Sequence, residues 1–199
     1  MQIIGITGGI GCGKSEVCRY LKEKYDAEII MADDVAHEVT EPGTKCNKSL
    51  KELFGDEFFL EDGRLDRKKA GTVAFKDPEI LKQMNGIIHP DVWEEICRRL
   101  EKAERGGKRL AVIEAALLVG SRYREICAEY WYIYAEKIVR LKRLTASRDI
   151  SVEKALSVMD NQLSEGEFKA ACDFTVDNSG EFGETARQID EHILKGNFK

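Results

Sequence analysis

The residues with the clearest chemical capacity lie at positions 8–15, where the sequence reads GGIGCGKS. Gly8, Gly13, Lys14 and Ser15 satisfy the pattern G-x-x-x-x-G-K-S. Glycines allow the backbone to wrap successive N–H groups around phosphates, and the lysine adds a positive charge near the terminal phosphates. The serine hydroxyl of such a loop ligates Mg²⁺. The pattern therefore predicts a cradle for a nucleoside triphosphate with its magnesium ion.

Acidic residues follow two short apolar runs. Asp33 comes after the run at 27–31, and its carboxylate could accept a proton from an attacking hydroxyl or orient that hydroxyl. A helix N-cap is the alternative role for Asp33, and Asp34 competes with it for either role. Glu114 ends the run at 110–114, as in the second magnesium-site element of P-loop enzymes. Many strands end in an acid, so a purely structural Glu114 stays open.

Basic residues gather after position 139. Arg140, Lys142, Arg143 and Arg148 form a local positive cluster in a chain of net charge −5. Such a cluster is either a solvated helix face or a lid whose arginines neutralise charge on a transferring phosphoryl group. Because the cluster is positive in a chain that is negative overall, the lid is favoured. His89 precedes Pro90, and on spacing alone a capping or core histidine is favoured over a ligand.

The elements that must position these residues alternate strand and helix. Apolar runs predict strands, and helical spacing predicts helices between them. Residues 35–105 are mostly helical, with Asp66 as a helix cap and Pro90 interrupting or restarting a helix. We expect an α/β fold with a parallel sheet, an inserted helical subdomain, and the loop at 8–15 at the carboxyl ends of the strands. The predicted strands are 2–7, 27–31, 110–114, 129–134 and 174–176, and helices are predicted at 14–25, 91–105, 136–147, 151 onward and 181–195.

Composition limits the function further. The 199 residues suit one α/β domain, and the net charge of −5 argues against a general nucleic-acid binder. The apolar runs are too short for a membrane span, and a basic, apolar leader is not seen at the start, so we expect a cytoplasmic protein. The six cysteines have no C-x-x-C spacing, which predicts reduced thiols. Cys12 lies in the phosphate loop, where a small loop residue is the expected role.

Several segments together resemble the dephospho-CoA kinase family from about residue 3 to 190. No later segment is diagnostic alone, but their order and spacing behind this P-loop are specific. The segments that carry the resemblance read ITGGIGCGKS (6–15), AD (32–33), EPG (41–43), DRK (66–68), VAF (73–75), NGIIHP (85–90), LL (117–118), RLKRL (140–144), SR (147–148), Gln162, and Asp173 through DNSG (177–180).

The resemblance implies ATP-dependent phosphorylation of the ribose 3′-hydroxyl of dephospho-CoA, the last step of coenzyme A synthesis. It implies a three-layer α/β P-loop kinase with a parallel central sheet, in a single domain over 1–199. The core would take 1–34, 108–135 and 172–199, a helical CoA-binding subdomain 35–107, and a lid 140–170.

The resemblance also implies roles for single residues. Asp33 matches the catalytic carboxylate, with Lys14 and Arg140 as further catalytic groups. His89 and Arg67 lie in the segments on the substrate side. Mg²⁺ is expected on Ser15. The residues expected at ATP are Gly8, Gly9, Gly11, Cys12, Gly13, Lys14, Ser15, Glu16, Arg143, Arg148, Asn178 and Gly180.

The chain departs from the family pattern at several positions. Met31 stands where the family often has Asp or Ser, Cys172 replaces an alanine, and the stretch 116–120 lacks the family's proline and ends in Gly120 instead of glutamate. The phosphate loop, Asp33 and the lid arginines are intact, so we expect activity.

Two alternatives to this function remain. One is a kinase for a nucleoside monophosphate or another small molecule. The other is a nucleotide-dependent switch without an acceptor, although the sequence lacks a guanine-reading N-K-x-D element. No pattern indicates the oligomeric state.

Overall fold

The computed structural model describes residues 1–116, 118, 122–147 and 150–197. Its centre is a five-stranded sheet in the order β2-β3-β1-β4-β5. The ladders that join β1 to β3, β1 to β4, and β4 to β5 are parallel. The strands are β1 (Gln2–Thr7), β2 (Glu28–Met31), β3 (Leu110–Glu114), β4 (Glu129–Tyr134) and β5 (Phe174–Asp177). The predicted α/β fold and parallel sheet are confirmed.

Helices occupy the segments between the strands and follow the last strand. Side chains cap several of them where the sequence offers a suitable residue; Asp66 and Ser151 accept hydrogen bonds from the third residue that follows each of them. The helices are α1 (Lys14–Tyr25), α2 (Ala32–Val39), α3 (Lys45–Phe54), α4 (Arg67–Ala74), α5 (Pro78–Arg105), α6 (Lys137–Ser147), α7 (Val152–Asp160), α8 (Glu165–Ala171) and α9 (Phe182–His192).

The main core lies between the sheet and helices α1 and α9. Ile4, Ile6, Trp131 and Ile133 are fully buried on the central strands, which explains why these strands read as continuous apolar runs. Glycine at position 5 leaves room for the Tyr130 side chain, because a β-carbon at this position would stand only 2.7 Å from the Tyr130 ring. This packing holds the carboxyl end of β1, where the phosphate loop begins.

The chain divides into two compact units. One contains residues 1–29 and 103–199, and the other contains residues 30–102. The second unit is helical and has its own apolar cluster around Cys46, Leu50 and Phe54. Within the described residues, none of the helices combines the length and apolar character that a membrane span requires.

One local prediction, that Pro90 interrupts a helix, was wrong. Helix α5 continues through Pro90, because its flanking apolar residues Met84, Ile87 and Ile88 pack into the helical unit's cluster and hold the helix together. In the sheet, β3 lies between β1 and β2, so the first two strands of the chain are not neighbours. Arg148 and Gly120 lie outside the described residues.

Candidate active site

The phosphate loop connects β1 to α1, in the context that its pattern requires. Gly11 and Gly13 have φ angles of +79° and +91°, which L-residues with side chains rarely adopt. Gly13 precedes α1 without any side-chain cap, and its carbonyl accepts from the amides of Glu16 and Val17. The uncapped N-terminus of α1 therefore offers its first amides and its dipole to an anion.

Lys14 lies between a loop carbonyl and a buried acid. Its Nζ donates to the Gly8 carbonyl at 3.0 Å and stands 3.5 Å from Glu114 Oε1. Glu114 is buried at the end of β3. The lysine is thus held over the loop and next to the strand end where the sequence left open a magnesium-site or a structural role for Glu114. Ser15, the next residue, is exposed in the first turn of α1.

Arg140 extends from α6 onto the phosphate loop. Its Nε donates to the Ile10 carbonyl at 2.8 Å, and its Nη2 donates to Gln162 Oε1 at 2.9 Å. Gln162 Oε1 also accepts from the Ile10 amide at 2.9 Å. Sequence reasoning assigned no role to Gln162, which stood out only as one matching residue of a family resemblance. Its distance along the chain from the loop hid this contact.

Two more side chains converge on the Cys12 carbonyl. Asn178 Nδ2 donates to it at 2.9 Å and Arg143 Nη1 at 3.4 Å. The Asn178 side chain is buried, and its Oδ1 accepts from the Thr185 hydroxyl at 2.8 Å. In this structure Asn178 therefore links the phosphate loop to α9 through its side-chain amide.

The Cys12 thiol is buried behind the loop. Desolvation raises the pKa of this thiol, and the nearby Lys14 lowers it by less. A buried thiol with a raised pKa is a poor nucleophile. The loop cysteine thus has the environment of a small structural residue.

The remaining predicted residues near ATP lie at the ends of helices. Glu16 is in the first turn of α1, with an oxygen 3.7 Å from Arg19 Nη2. Gly180 precedes α9, where a β-carbon would stand 2.7 Å from Glu184 Oε2. Neither position by itself identifies a nucleotide contact.

The helical unit carries the predicted catalytic carboxylate. Asp33 and Asp34 are exposed in the first turn of α2, immediately after β2. The N-cap is Met31, so the capping role considered for Asp33 is wrong. Because successive helical residues project about 100° apart, the two carboxylates face different directions.

Arg67 and His89 lie on different helices of the same unit. Arg67 Nη2 donates to the Ala36 carbonyl at 3.2 Å and contacts the Thr40 hydroxyl, so it supports the last turn of α2. His89 is exposed within α5. It is neither a cap nor part of the core, which contradicts the role favoured by its spacing.

Among the described residues, no group of three or more His, Cys, Asp and Glu side chains is arranged as a metal-ligand cluster. The magnesium prediction therefore depends on the phosphate loop, where Ser15 is the predicted protein ligand.

Comparisons with known proteins give a consistent result. The family model CoaE, dephospho-CoA kinase, matches residues 2–184. A dephospho-CoA kinase from Geobacter sulfurreducens is 35% identical over 191 residues, which cover 96% of both chains. A crystal structure from Thermus thermophilus has a TM-score of 0.85 and 28% identity, covering 98% of this chain and 96% of the other. The fold also resembles a dephospho-CoA kinase from Campylobacter jejuni, with a TM-score of 0.70, 23% identity, and coverage of 99% and 100%.

Proposed function

The chain belongs to the dephospho-CoA kinase family, and we propose that its residues divide the work of transferring the γ-phosphoryl group of ATP to the ribose 3′-hydroxyl of dephospho-CoA. The observation that carries this proposal is the phosphate loop. Its glycine turns, its uncapped helix and Lys14 together form a positive, donor-rich cradle. Such a cradle fits the β- and γ-phosphates of a nucleoside triphosphate.

In this proposal the arginines of α6 add positive charge around the phosphates. Arg140 and Arg143 donate to loop carbonyls at Ile10 and Cys12, so both guanidinium groups already lie against the loop. Preorganised positive groups stabilise charge that develops on a transferring phosphoryl group without reorganisation during the reaction. We assign Arg140 to direct contact with the phosphates, and Arg143 and Arg148 to nucleotide binding.

The loop also fits a magnesium ion bound with ATP. The exposed Ser15 hydroxyl is free to ligate a cation, while the carboxylate of Glu114, 3.5 Å from Lys14, adds acidic character on the β3 side. Bound to the phosphates, Mg²⁺ would neutralise part of their charge. Ser15 is the proposed ligand.

Asp33 is the proposed general base. Its carboxylate would accept the proton of the 3′-hydroxyl as that oxygen forms its bond to the γ-phosphorus, and the bond from the γ-phosphorus to the bridging oxygen breaks to release ADP. The exposed position of Asp33 at the start of α2 leaves the carboxylate accessible to a substrate.

The unit of residues 30–102 is the proposed acceptor-binding part. Arg67 and His89 are its assigned substrate contacts, and Gly180 is assigned to the nucleotide. The Asn178 side chain is already used within the protein, so we assign it a supporting role at the loop. The cytoplasmic location and the absence of nucleic-acid partners stay predictions from the sequence.

A substrate comparison tests this function. Purified protein is incubated with ATP and Mg²⁺, and ADP release is measured with dephospho-CoA, AMP or adenosine as the acceptor. We expect efficient transfer only to dephospho-CoA, with the product phosphorylated at the 3′ position. A preference for AMP would identify a nucleoside monophosphate kinase instead, and ADP release independent of any acceptor would indicate a nucleotide-hydrolysing switch.

A further inference from the structure

A closed ring of hydrogen bonds joins the phosphate loop to the segment between α7 and α8. The Ile10 amide donates to Gln162 Oε1, Arg140 Nη2 donates to the same oxygen, and Arg140 Nε donates to the Ile10 carbonyl. The three distances are 2.9, 2.9 and 2.8 Å. One amide oxygen thus fixes both the loop and the guanidinium.

The side chain of Ile10 strengthens the same connection. It packs against the apolar cluster of Leu144, Ala155 and Met159, which belong to α6 and α7. Ile10 is therefore held by polar bonds at its backbone and by apolar contacts at its side chain. Any shift of the α6–α7 pair would move the tip of the phosphate loop with it.

The ring also determines which way the guanidinium of Arg140 points. Nε and Nη2 are occupied by Ile10 and Gln162. A guanidinium has fixed planar geometry, so two bonds on one side orient its remaining nitrogen. Within the part of the chain that the structure describes, Nη1 makes no hydrogen bond with another residue, and it is therefore available for a ligand oxygen.

We propose that Gln162 is a positioning residue that orients Arg140 and the Ile10 peptide for phosphoryl transfer without itself contacting the nucleotide. This inference rests on the proposed function, because it assigns Arg140 to the transferring phosphoryl group. Gln162 lies after α7, half-buried, and its oxygen accepts from two donors at once. An uncharged amide oxygen can accept both hydrogen bonds without neutralising the positive charge of Arg140.

The choice of glutamine over glutamate is the distinguishing feature. A glutamate at position 162 could accept both hydrogen bonds and keep the geometry of the ring. It would also pair with the Arg140 guanidinium and place a negative charge beside the phosphate loop. A role limited to holding the fold would tolerate this change, whereas a role in presenting the positive charge of Arg140 would not.

The test compares Gln162→Glu and Gln162→Met with the wild type. We expect Gln162→Glu to keep its melting temperature within about 2 °C while its kcat falls roughly 100-fold. Gln162→Met removes the acceptor and should lower kcat by a similar factor. The KM for dephospho-CoA should change by less than about threefold in both variants, because the acceptor side is untouched.

The adjacent residue provides a matched control. Asn161 donates to the Ser157 carbonyl at 2.8 Å and is exposed. Asn161→Ala loses a hydrogen bond at the same end of α7 but none to the phosphate loop. We expect its kcat to equal that of the wild type. A loss equal to that of Gln162→Met would show that general loosening of this segment explains the effect, and would overturn the proposal.

A double-mutant cycle tests whether Gln162 acts through Arg140. In an Arg140→Met background, Gln162→Glu should reduce kcat by less than about threefold further, since the charge that it would neutralise is already absent. Fully additive losses, or wild-type kcat in Gln162→Glu, would overturn the inference.

Calorimetric binding of ADP separates this inference from the proposed function. We expect the Kd for ADP to rise about tenfold in Gln162→Glu and to stay unchanged in Asn161→Ala. If the wild type fails to phosphorylate dephospho-CoA, the proposed function fails, but the ADP measurement still tests the role of Gln162. An unchanged ADP Kd in an active enzyme with unchanged kcat would reject the role of Gln162 alone.

Discussion

The guanidinium of Arg140 lies against the α-carbon of Gly9, where a β-carbon would stand 2.6 Å from Arg140 Cζ and 2.9 Å from Nη1. The motif G-x-x-x-x-G-K-S leaves position 9 open to any residue. In this chain the guanidinium of Arg140 fills the space beside Gly9, so a side chain at position 9 would displace it, which connects the loop sequence to a residue on α6.

Gly9→Ala should therefore impair catalysis more than folding. The added methyl group meets the end of a side chain and not the backbone, so Arg140 can be displaced, at the cost of its hydrogen bonds to Ile10 and Gln162. We expect kcat to fall roughly tenfold to 100-fold, as for a misplaced catalytic group, and the free energy of unfolding to fall by no more than about 2 kcal/mol.

Steady-state kinetics and urea unfolding measure these two quantities. Gly183→Ala is the matched control, because a β-carbon at that position of α9 meets no atom within 4 Å. It should keep full activity and gain up to about 1 kcal/mol of stability. Wild-type kcat in Gly9→Ala would contradict the proposed contribution of Arg140.

Asp33→Asn should abolish most turnover while nucleotide binding persists. The amide is similar in size but cannot accept the hydroxyl proton, so we expect kcat to fall by roughly 100-fold or more. The Kd for ATP, measured by calorimetry, should change little. Asp34→Asn is the control, since Asp34 is equally exposed in the same turn of α2. A larger loss of kcat in Asp34→Asn would indicate that Asp34, and not Asp33, is the general base.

Asn178→Asp should loosen the phosphate loop. The aspartate can still accept from the Thr185 hydroxyl, but it loses the donor to the Cys12 carbonyl and places a buried negative charge beside that oxygen. We expect a loss of about 2 to 4 kcal/mol in the free energy of unfolding and weaker ATP binding.

Thr185→Val separates the two bonds of Asn178. It removes the hydroxyl that donates to Asn178 Oδ1 but leaves the bond to Cys12. Chemical unfolding should show a loss of about 1 kcal/mol, with the Kd for ATP close to that of the wild type. Equal weakening of ATP binding in both variants would refute a specific role for the bond to the loop.

Acid should weaken the helical unit through Glu95. Hydrogen bonds from Arg98 and then Arg99 lower the pKa of this carboxyl to about 2 from 4.5, against a smaller opposing effect of burial. Because the folded-state pKa lies below the unfolded value, the stabilisation is complete above pH 4.5 and is lost as the pH falls toward 2.

Thermal unfolding followed by circular dichroism between pH 2 and 7 measures this effect. Glu95→Gln should be less stable than the wild type at pH 7, and the difference should shrink as the pH falls. Glu94→Gln removes an equal charge from an exposed neighbouring position on α5 and should leave the pH profile unchanged. A constant difference between Glu95→Gln and the wild type across the range would contradict the ion-pair explanation.

The sequence by itself determined the phosphate loop and the bounds of several strands and helices. The bounds of β3, β4 and α1 follow from short apolar runs and helical spacing, which are local properties of the chain. The phosphate loop could also be predicted from the sequence, because its glycines, its lysine and the start of its helix lie within a few consecutive residues.

The tertiary structure decided the partners of the loop and the order of the strands. Gln162 and Asn178 meet loop residues more than 150 positions earlier, and no local pattern encodes such a pairing. The position of β3 between β1 and β2 and the continuity of α5 through Pro90 likewise depend on packing energies that sum over distant residues. Local chemistry therefore predicted a triphosphate cradle, while long-range packing selected the side chains that hold and orient the phosphate loop.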